Sequence, residues 1–490
     1  GNSDELTTFR KNILARYPDV ATNLSETNAV RLSLRKSLWE SRLMPRDTPF
    51  PAPPEAWSDF VARSQTLENQ INFIAAGRNV VPLQFPPLLE TTEIRKRLVG
   101  KQRLLTFTWT NMGLFASLEA PKQAASWRVK RPDDVRKTII AMARSLSLYH
   151  PLRPVETARL DNEEWQAHSE SLTTLLFEDS AVSLQRHQEF DELIIVPDGL
   201  LWYLPFELLP ITTEEKNPGD EMVLRLKDVC QIRYSPTRSL AVGTRHTATT
   251  PQLTAVQASV TYRNNSPEQA IALLNRVDTA IDDAVFLNSQ TTKIPVSISA
   301  SLADTLVIFD ELSADGKMDD RPLIAADAGR PGMSFKDWLA PPYKAARCAV
   351  LTGLQTQASG GLSQSTERPG SDLFMTAMDL VATGTETAVI SRWNVGGRIA
   401  IDLGIEFIKD RQRETLRDTP LPAAVSWQRA VDLVTAEQPD FNREPRIKIT
   451  NSVIPQNAKH PFFWAGFTLI DCGVLNGTAD ATKSQAEPAK

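Results

Sequence analysis

The chain has 490 residues, 41% of them hydrophobic and 23% charged, an ordinary globular balance that allows roughly two to four domains. A net charge of -5 gives no basic field for nucleic acid, and no apolar run reaches the length of about 18 residues that a membrane span needs. Three cysteines (Cys230, Cys348, Cys472) form neither a disulfide framework nor a C-x-x-C pair, and the five histidines share no i, i+4 spacing, so a zinc site is not expected.

The first residues, Gly1 to Glu5, have neither the basic nor the apolar part of a signal peptide. An opening glycine in place of methionine leads us to expect more chain upstream. Residues 6–43 read as helical, with a break at Pro18 and apolar positions such as Leu24, Leu34 and Leu38 near helical spacing. Five prolines between Pro45 and Pro54 make an extended linker, and a second helix is predicted from Glu55 to Ala75. The segment Leu104 to Thr110 alternates like a strand, Asn111-Met112-Gly113 turns, and Leu114 to Glu119 returns as the other arm of a hairpin. Helices are predicted over Pro132–Leu148 and Asp161–Glu189.

Further on, the pattern becomes strand, long connection, strand. Short apolar runs at Leu193–Val196, Leu306–Phe309, Ala349–Leu351, Ala388–Ile390 and Phe467–Ile470 suit strands buried on both faces. Helical patterns over Asp372–Ala382 and Ile399–Lys409 lie between them, which predicts an α/β fold with a mostly parallel sheet covered by helices. The last segment, Val474 to Lys490, is small and polar and is expected to be a disordered tail.

In such sheets function gathers in the loops beyond the carboxyl ends of strands. Pro197-Asp198-Gly199 follows the first apolar run and reads as a hairpin turn into a packed aromatic corner. Asp310, Glu311, Asp315, Asp319 and Asp320 follow the second; they read first as a solvated acidic turn, since Pro322 falls where a calcium loop needs its closing Glu. The loop Thr352 to Gly361 follows the third, rich in Gly, Ser and Thr, but lacks the Lys of a phosphate loop. Ser391-Arg392-Trp393-Asn394-Val395 follows the fourth. Near the end stands His460-Pro461-Phe462-Phe463-Trp464-Ala465-Gly466-Phe467, whose His is more often a packed structural group than an acid or base.

Four of these segments, in order, resemble the CHAT family of caspase- and separase-related domains: Val196-Pro197-Asp198-Gly199 through Phe206, Tyr234-Ser235-Pro236-Thr237, Ala388 through Val395, and His460 through Phe467. The resemblance implies a caspase-like, mostly parallel α/β sheet flanked by helices, with an antiparallel hairpin region. It implies a helical prelude over 1–80 with the linker 45–54, an N-terminal half over 81–240 and a caspase-like half over 241–473. Such domains usually follow tetratricopeptide repeats in bacterial proteins, so repeats are expected upstream.

In active members of the family, the strand at Leu306–Phe309 leads to a catalytic His and the strand at Ala349–Leu351 to a nucleophilic Cys. Aligning those strands puts Leu312 at the base and Leu354 at the nucleophile. A shift of register does not help, because no histidine lies between His246 and His460. Cleavage by such a dyad needs a thiolate and an imidazole, and leucine is neither. Cys348, six positions early, reads as a packed thiol. The expectation is a degenerate, catalytically inactive domain that acts as a protein-interaction or regulatory module. Asp310, Glu311, Thr352, Gln355, Thr356 and Trp393 are candidates to line its cleft. Two alternatives stay open: hydrolysis by Thr352 or Ser359 with Asp310 or Glu311, and a cation site at Asp315, Asp319 and Asp320. No cofactor, nucleic acid or membrane is expected; a protein or peptide partner in the cytoplasm is.

Overall fold

The structure is a computed structural model. It describes residues 15–42, 54–76, 88–147, 154–178, 180, 190–212, 223–245, 253–258, 267–281, 284–287, 300–309, 343–354, 356, 358–363, 368–393, 395–415, 421–444, 446–450, 455–472 and 474–475.

Two helices come first, α1 (Pro18–Ser41) and α2 (Pro54–Ala76). Pro18 stands at the first position of α1 and so starts the helix, as its missing N–H allows. The pair is fastened to the body of the fold. Arg31 donates to the carbonyl of Ser301 at 3.0 Å, and Arg35 pairs with Asp304 at 2.5 Å while donating to the carbonyl of Leu302.

Eleven strands form one sheet: β1 (Gln102–Thr110), β2 (Gly113–Glu119), β3 (Ala124–Arg128), β4 (Glu192–Val196), β5 (Gln231–Tyr234), β6 (Thr254–Ala258), β7 (Ala284–Leu287), β8 (Thr305–Phe309), β9 (Cys348–Leu351), β10 (Thr387–Ser391) and β11 (Phe467–Asp471). Their spatial order is β7-β6-β8-β9-β10-β11-β5-β4-β1-β2-β3. From β7 to β10 every pairing is parallel, and so is every pairing from β11 through β5 and β4 to β1. The two parallel blocks meet at one antiparallel seam, Thr387 opposite Asp471 through Ser391 opposite Phe467. The sheet therefore runs without a break across the division at 240/241.

Strands β4, β8, β10 and β11 are buried at every residue, which is why their sequences are apolar runs. The hairpin differs. Its Leu105, Phe107, Leu114 and Ala116 point into the main core, while Thr108 and Phe115 stay accessible on the other side. The expected arms are correct, and β3 adds a third strand that the sequence reading lacked.

Among the described residues, longer helices pack around the sheet: α3 (Thr91–Arg97), α4 (Pro132–Ser145), α5 (Glu164–Phe177), α6 (Pro267–Ala280), α7 (Ser371–Ala382) and α8 (Arg398–Thr415). A further helix, α9 (Ala423–Ala436), lies against α8 and buries Trp427 between Phe407 and Phe467. Helix α4 shows why these segments coil: Pro132 opens it, Asp133 and Asp134 complement the positive end of its dipole, and Val135, Ile139, Ile140 and Met142 make one buried stripe.

Three expectations change. The helix predicted over Asp161–Glu189 is shorter, because Asn162 caps α5 by accepting from Glu164 N at 2.7 Å and the helix ends at Phe177. Pro197-Asp198-Gly199 is not a hairpin turn: the chain enters a 3-10 turn, Gly199–Tyr203, and the next strand of the sheet runs parallel. Val474–Leu475 pair with Thr244–Arg245, so the expected tail begins in a strand; residues 476–490 lie outside the described residues. Among the described residues no helix is long and apolar enough to cross a membrane.

Candidate functional site

The place where a dyad would stand is at the carboxyl ends of β8, β9 and β10. Of the residues singled out there, Asp310, Glu311, Leu312, Asp315, Asp319, Asp320 and Gln355 lie outside the described residues. Of the rest, the structure buries Thr352, Leu354, Thr356 and Trp393 and leaves Ser359 half-buried. Leu354 is 1% exposed, Thr352 1%, Thr356 2% and Trp393 2%. They do not line an open cleft.

Hydrogen bonds and close packing hold them in the interior. Ser391, the last residue of β10, donates to the carbonyl of Leu354 at 3.0 Å. Thr356 donates to the carbonyl of Arg392 at 3.0 Å. Trp393 lies against Gly466, where a β-carbon would come within 2.7 Å of its indole nitrogen. The leucine side chain is part of the continuous core around the sheet. A buried aliphatic group at that point supplies packing and neither a nucleophile nor a proton acceptor. Cys348 is half-buried at the start of β9, at the opposite end of that strand from Leu354.

Beside these residues lies a buried polar cluster, centred on Arg392. Its guanidinium, fully buried, pairs with Glu207 at 3.0 and 3.1 Å and donates to the carbonyls of Leu204 at 2.8 Å and Phe467 at 3.3 Å. It also lies over the ring of Tyr234, 4.4 Å from the centroid. Tyr234 donates its hydroxyl proton to Glu207 at 2.8 Å and accepts from Phe206 N at 3.2 Å. The Arg392 N–H donates to the carbonyl of Gly466 at 2.7 Å. Burial by itself would lower the arginine pKa, but the Glu207 carboxylate and Tyr234 outweigh it and raise it. Burial foremost holds the Tyr234 hydroxyl well above its usual value.

A second clamp stands next to the first. Tyr203 donates to Asp372 at 2.8 Å and accepts from Gly370 N at 3.0 Å, tying the 3-10 turn to the start of α7. Gly370 has φ +80°, and a β-carbon there would lie 2.0 Å from the carbonyl oxygen of Gly199. Asp198 accepts from Trp109 N at 2.7 Å and fixes the same corner to the hairpin.

The four segments noted in the sequence thus converge on one place. Leu204 comes from the first, with Glu207 one residue past its end, Tyr234 from the second, Arg392 and Trp393 from the third, Gly466 and Phe467 from the fourth. The cluster spans the seam between the two parallel blocks. Its chemistry is that of a strut: a charge fully paired, its remaining protons given to main-chain carbonyls. The sequence reading missed Arg392, Glu207, Tyr203 and Asp372 as a group. The available signal was a lone charge ending an apolar strand, and a lone acid inside Leu204-Pro205-Phe206-Glu207-Leu208-Leu209.

His460 stands at the other side of that last segment. Its Nδ1 accepts from Phe462 N at 3.2 Å, and burial lowers its pKa to about 4. With its pKa lowered it is uncharged at neutral pH, in keeping with the packed reading.

The fold so described is an α/β sheet, mostly parallel in two blocks and flanked by helices. Residues 311–471 match the family model of the CHAT domain, in agreement with the resemblance drawn from the motifs. No curated protein matches the chain. Among solved structures it is similar to separase of Saccharomyces cerevisiae, in two crystal structures of the separase–securin complex, with TM-scores of 0.42 and 0.39 and 9% sequence identity. The likeness covers 86% of this chain and 34% of that chain, so the chain spans about a third of the separase it matches.

Proposed function

We propose that this chain is a non-catalytic relative of the caspase-like peptidases that works by binding a protein or peptide, as an interaction or regulatory module in the cytoplasm of a bacterium. The peptidase-related CHAT match is the frame for that reading. One observation carries it: Leu354, aligned with the nucleophile, is 1% exposed and packed in the core. Loss of one member of a catalytic dyad removes orders of magnitude of rate, and Leu312 stands by alignment at the other. The stretch between His246 and His460 holds no histidine to replace it. None of the three cysteines is in a disulfide, which suits a reducing compartment.

The test is labelling of the native chain with a peptidyl chloromethyl ketone, read by intact mass, alongside hydrolysis of fluorogenic peptides. The reading expects no turnover, and no adduct whose formation depends on the native fold. A single adduct on Cys348, with peptide hydrolysis that Cys348→Ala abolishes, would overturn it.

A further inference from the structure

An open cleft lies away from the positions aligned with the dyad, between the end of α4, the turn Thr157–Asp161 and the start of α5. Its volume is about 500 Å³, within the range of small-molecule sites. Arg144 and Ser145 reach it from the last turn of α4, Arg159 from the turn, and Glu164 and His168, one helical turn apart, from α5. Arg159 has no ion-pair partner among the described residues. Both arginines are exposed at the cleft.

The walls are held in place from behind. Ser147 has φ +59°, and it is the one non-glycine residue with a positive φ among the described residues. A β-carbon there costs about 1 kcal/mol, so the conformation needs outside support. Arg446, itself buried, supplies it by donating to the carbonyl of Ser147 at 2.8 Å. Asn162 is tied on both sides: its side chain caps α5, and its main chain lies beside the buried ring of His460. Both supporting residues come from the C-terminal part of the chain. The cleft is therefore a built feature of the tertiary fold.

We propose that this cleft binds a small molecule through an oxyanion, a phosphate or a carboxylate, held between Arg144 and Arg159. Guanidinium groups match either oxyanion with paired hydrogen bonds. The start of α5 opens on the same space and adds the positive end of a helix dipole. Hydroxyls of Ser145 and Ser147 line the wall. Glu164 at the rim repels a second negative charge and accepts a hydrogen bond from a hydroxyl or amine, which favours a ligand bearing one anionic group beside a polar one. This site is independent of the binding role proposed above.

The test is titration calorimetry on the whole chain at constant ionic strength, with glycerol 3-phosphate as one probe and lactate as the other. Saturable binding of either is expected, and which probe binds tells phosphate from carboxylate. Arg144→Gln and Arg159→Gln should each weaken it by about tenfold or more, Glu164→Gln should leave it equal or tighter, and Arg128→Gln, an exposed arginine elsewhere, should not change it. The exposed positions of Arg144 and Arg159 keep the variants folded, which circular dichroism checks. No saturable heat with either probe overturns the proposal, as does binding that survives both arginine substitutions.

Discussion

Replacing Arg392 by methionine tests whether the convergent segments are a strut. The substitution keeps an unbranched apolar side chain in a fully buried position and removes the charge. It leaves the Glu207 carboxylate, 12% exposed, with the Tyr234 hydroxyl as its remaining clamp partner, and it leaves the carbonyls of Leu204 and Phe467 without their side-chain donor. Breaking one side of a buried pair costs about 3–5 kcal/mol, mostly as the uncompensated charge left behind. Glu207→Met alone strands the arginine and should cost a similar amount. The double variant should cost less than the sum of the two by about 1–3 kcal/mol, because neither charge is then left alone. The assay is urea unfolding at pH 7, followed by tryptophan fluorescence for the four proteins of the cycle. The reasoning fails if Arg392→Met unfolds within about 1 kcal/mol of the parent, or if the double variant costs the full sum.

Other substitutions address the neighbouring parts. Leu354→Ala should lose about 2–5 kcal/mol in the same unfolding assay, as for a packed core leucine; a loss under about 1 kcal/mol would mean that Leu354 faces an open space. Gly370→Ala places a β-carbon 2.0 Å from the Gly199 carbonyl at φ +80°, so the purified variant should be unfolded or melt far below the parent, and an unchanged melting temperature would contradict the packing. His460 is held near a pKa of about 4, below the 6.5 of the unfolded chain, so the unfolded state takes up the proton first as pH falls. The stability is whole above pH 6.5 and is lost on going from 6.5 toward 4, by up to about 3 kcal/mol. His460→Gln should flatten that part of the stability–pH curve; an unchanged slope would refute the assignment.

Much of the sheet was legible in the sequence, for a physical reason. Strands buried on both faces favour apolar residues at successive positions, and Leu193–Val196, Leu306–Phe309 and Ala388–Ile390 announce themselves in that way. Strand β5, Gln231-Ile232-Arg233-Tyr234, does not, because a buried Arg233 sits in it. Its charge is balanced by Glu192 on the neighbouring strand, and a pairing of that kind, 41 positions apart, has no periodic signature. The same holds for the site. The four segments could be seen as motifs, and the two leucines could be aligned with a dyad. That Arg392 and Glu207, 185 positions apart, would meet inside the fold depends on the seam between β10 and β11, which local patterns do not encode. The turn chemistry of Pro197-Asp198-Gly199 misled for a similar reason: Asp198 bonds across to Trp109 rather than closing a hairpin.

The proposed function turns on Leu354, packed in the core at the position aligned with the nucleophile, leaving the chain without peptidase chemistry. The most direct measurement is incubation of the native chain with a proteome-derived peptide library, with new peptide termini counted by mass spectrometry. The account predicts no cleavage beyond that of a buffer control. Reproducible cleavage at a defined sequence, lost on Cys348→Ala or Thr352→Ala in a protein that still folds, would contradict it.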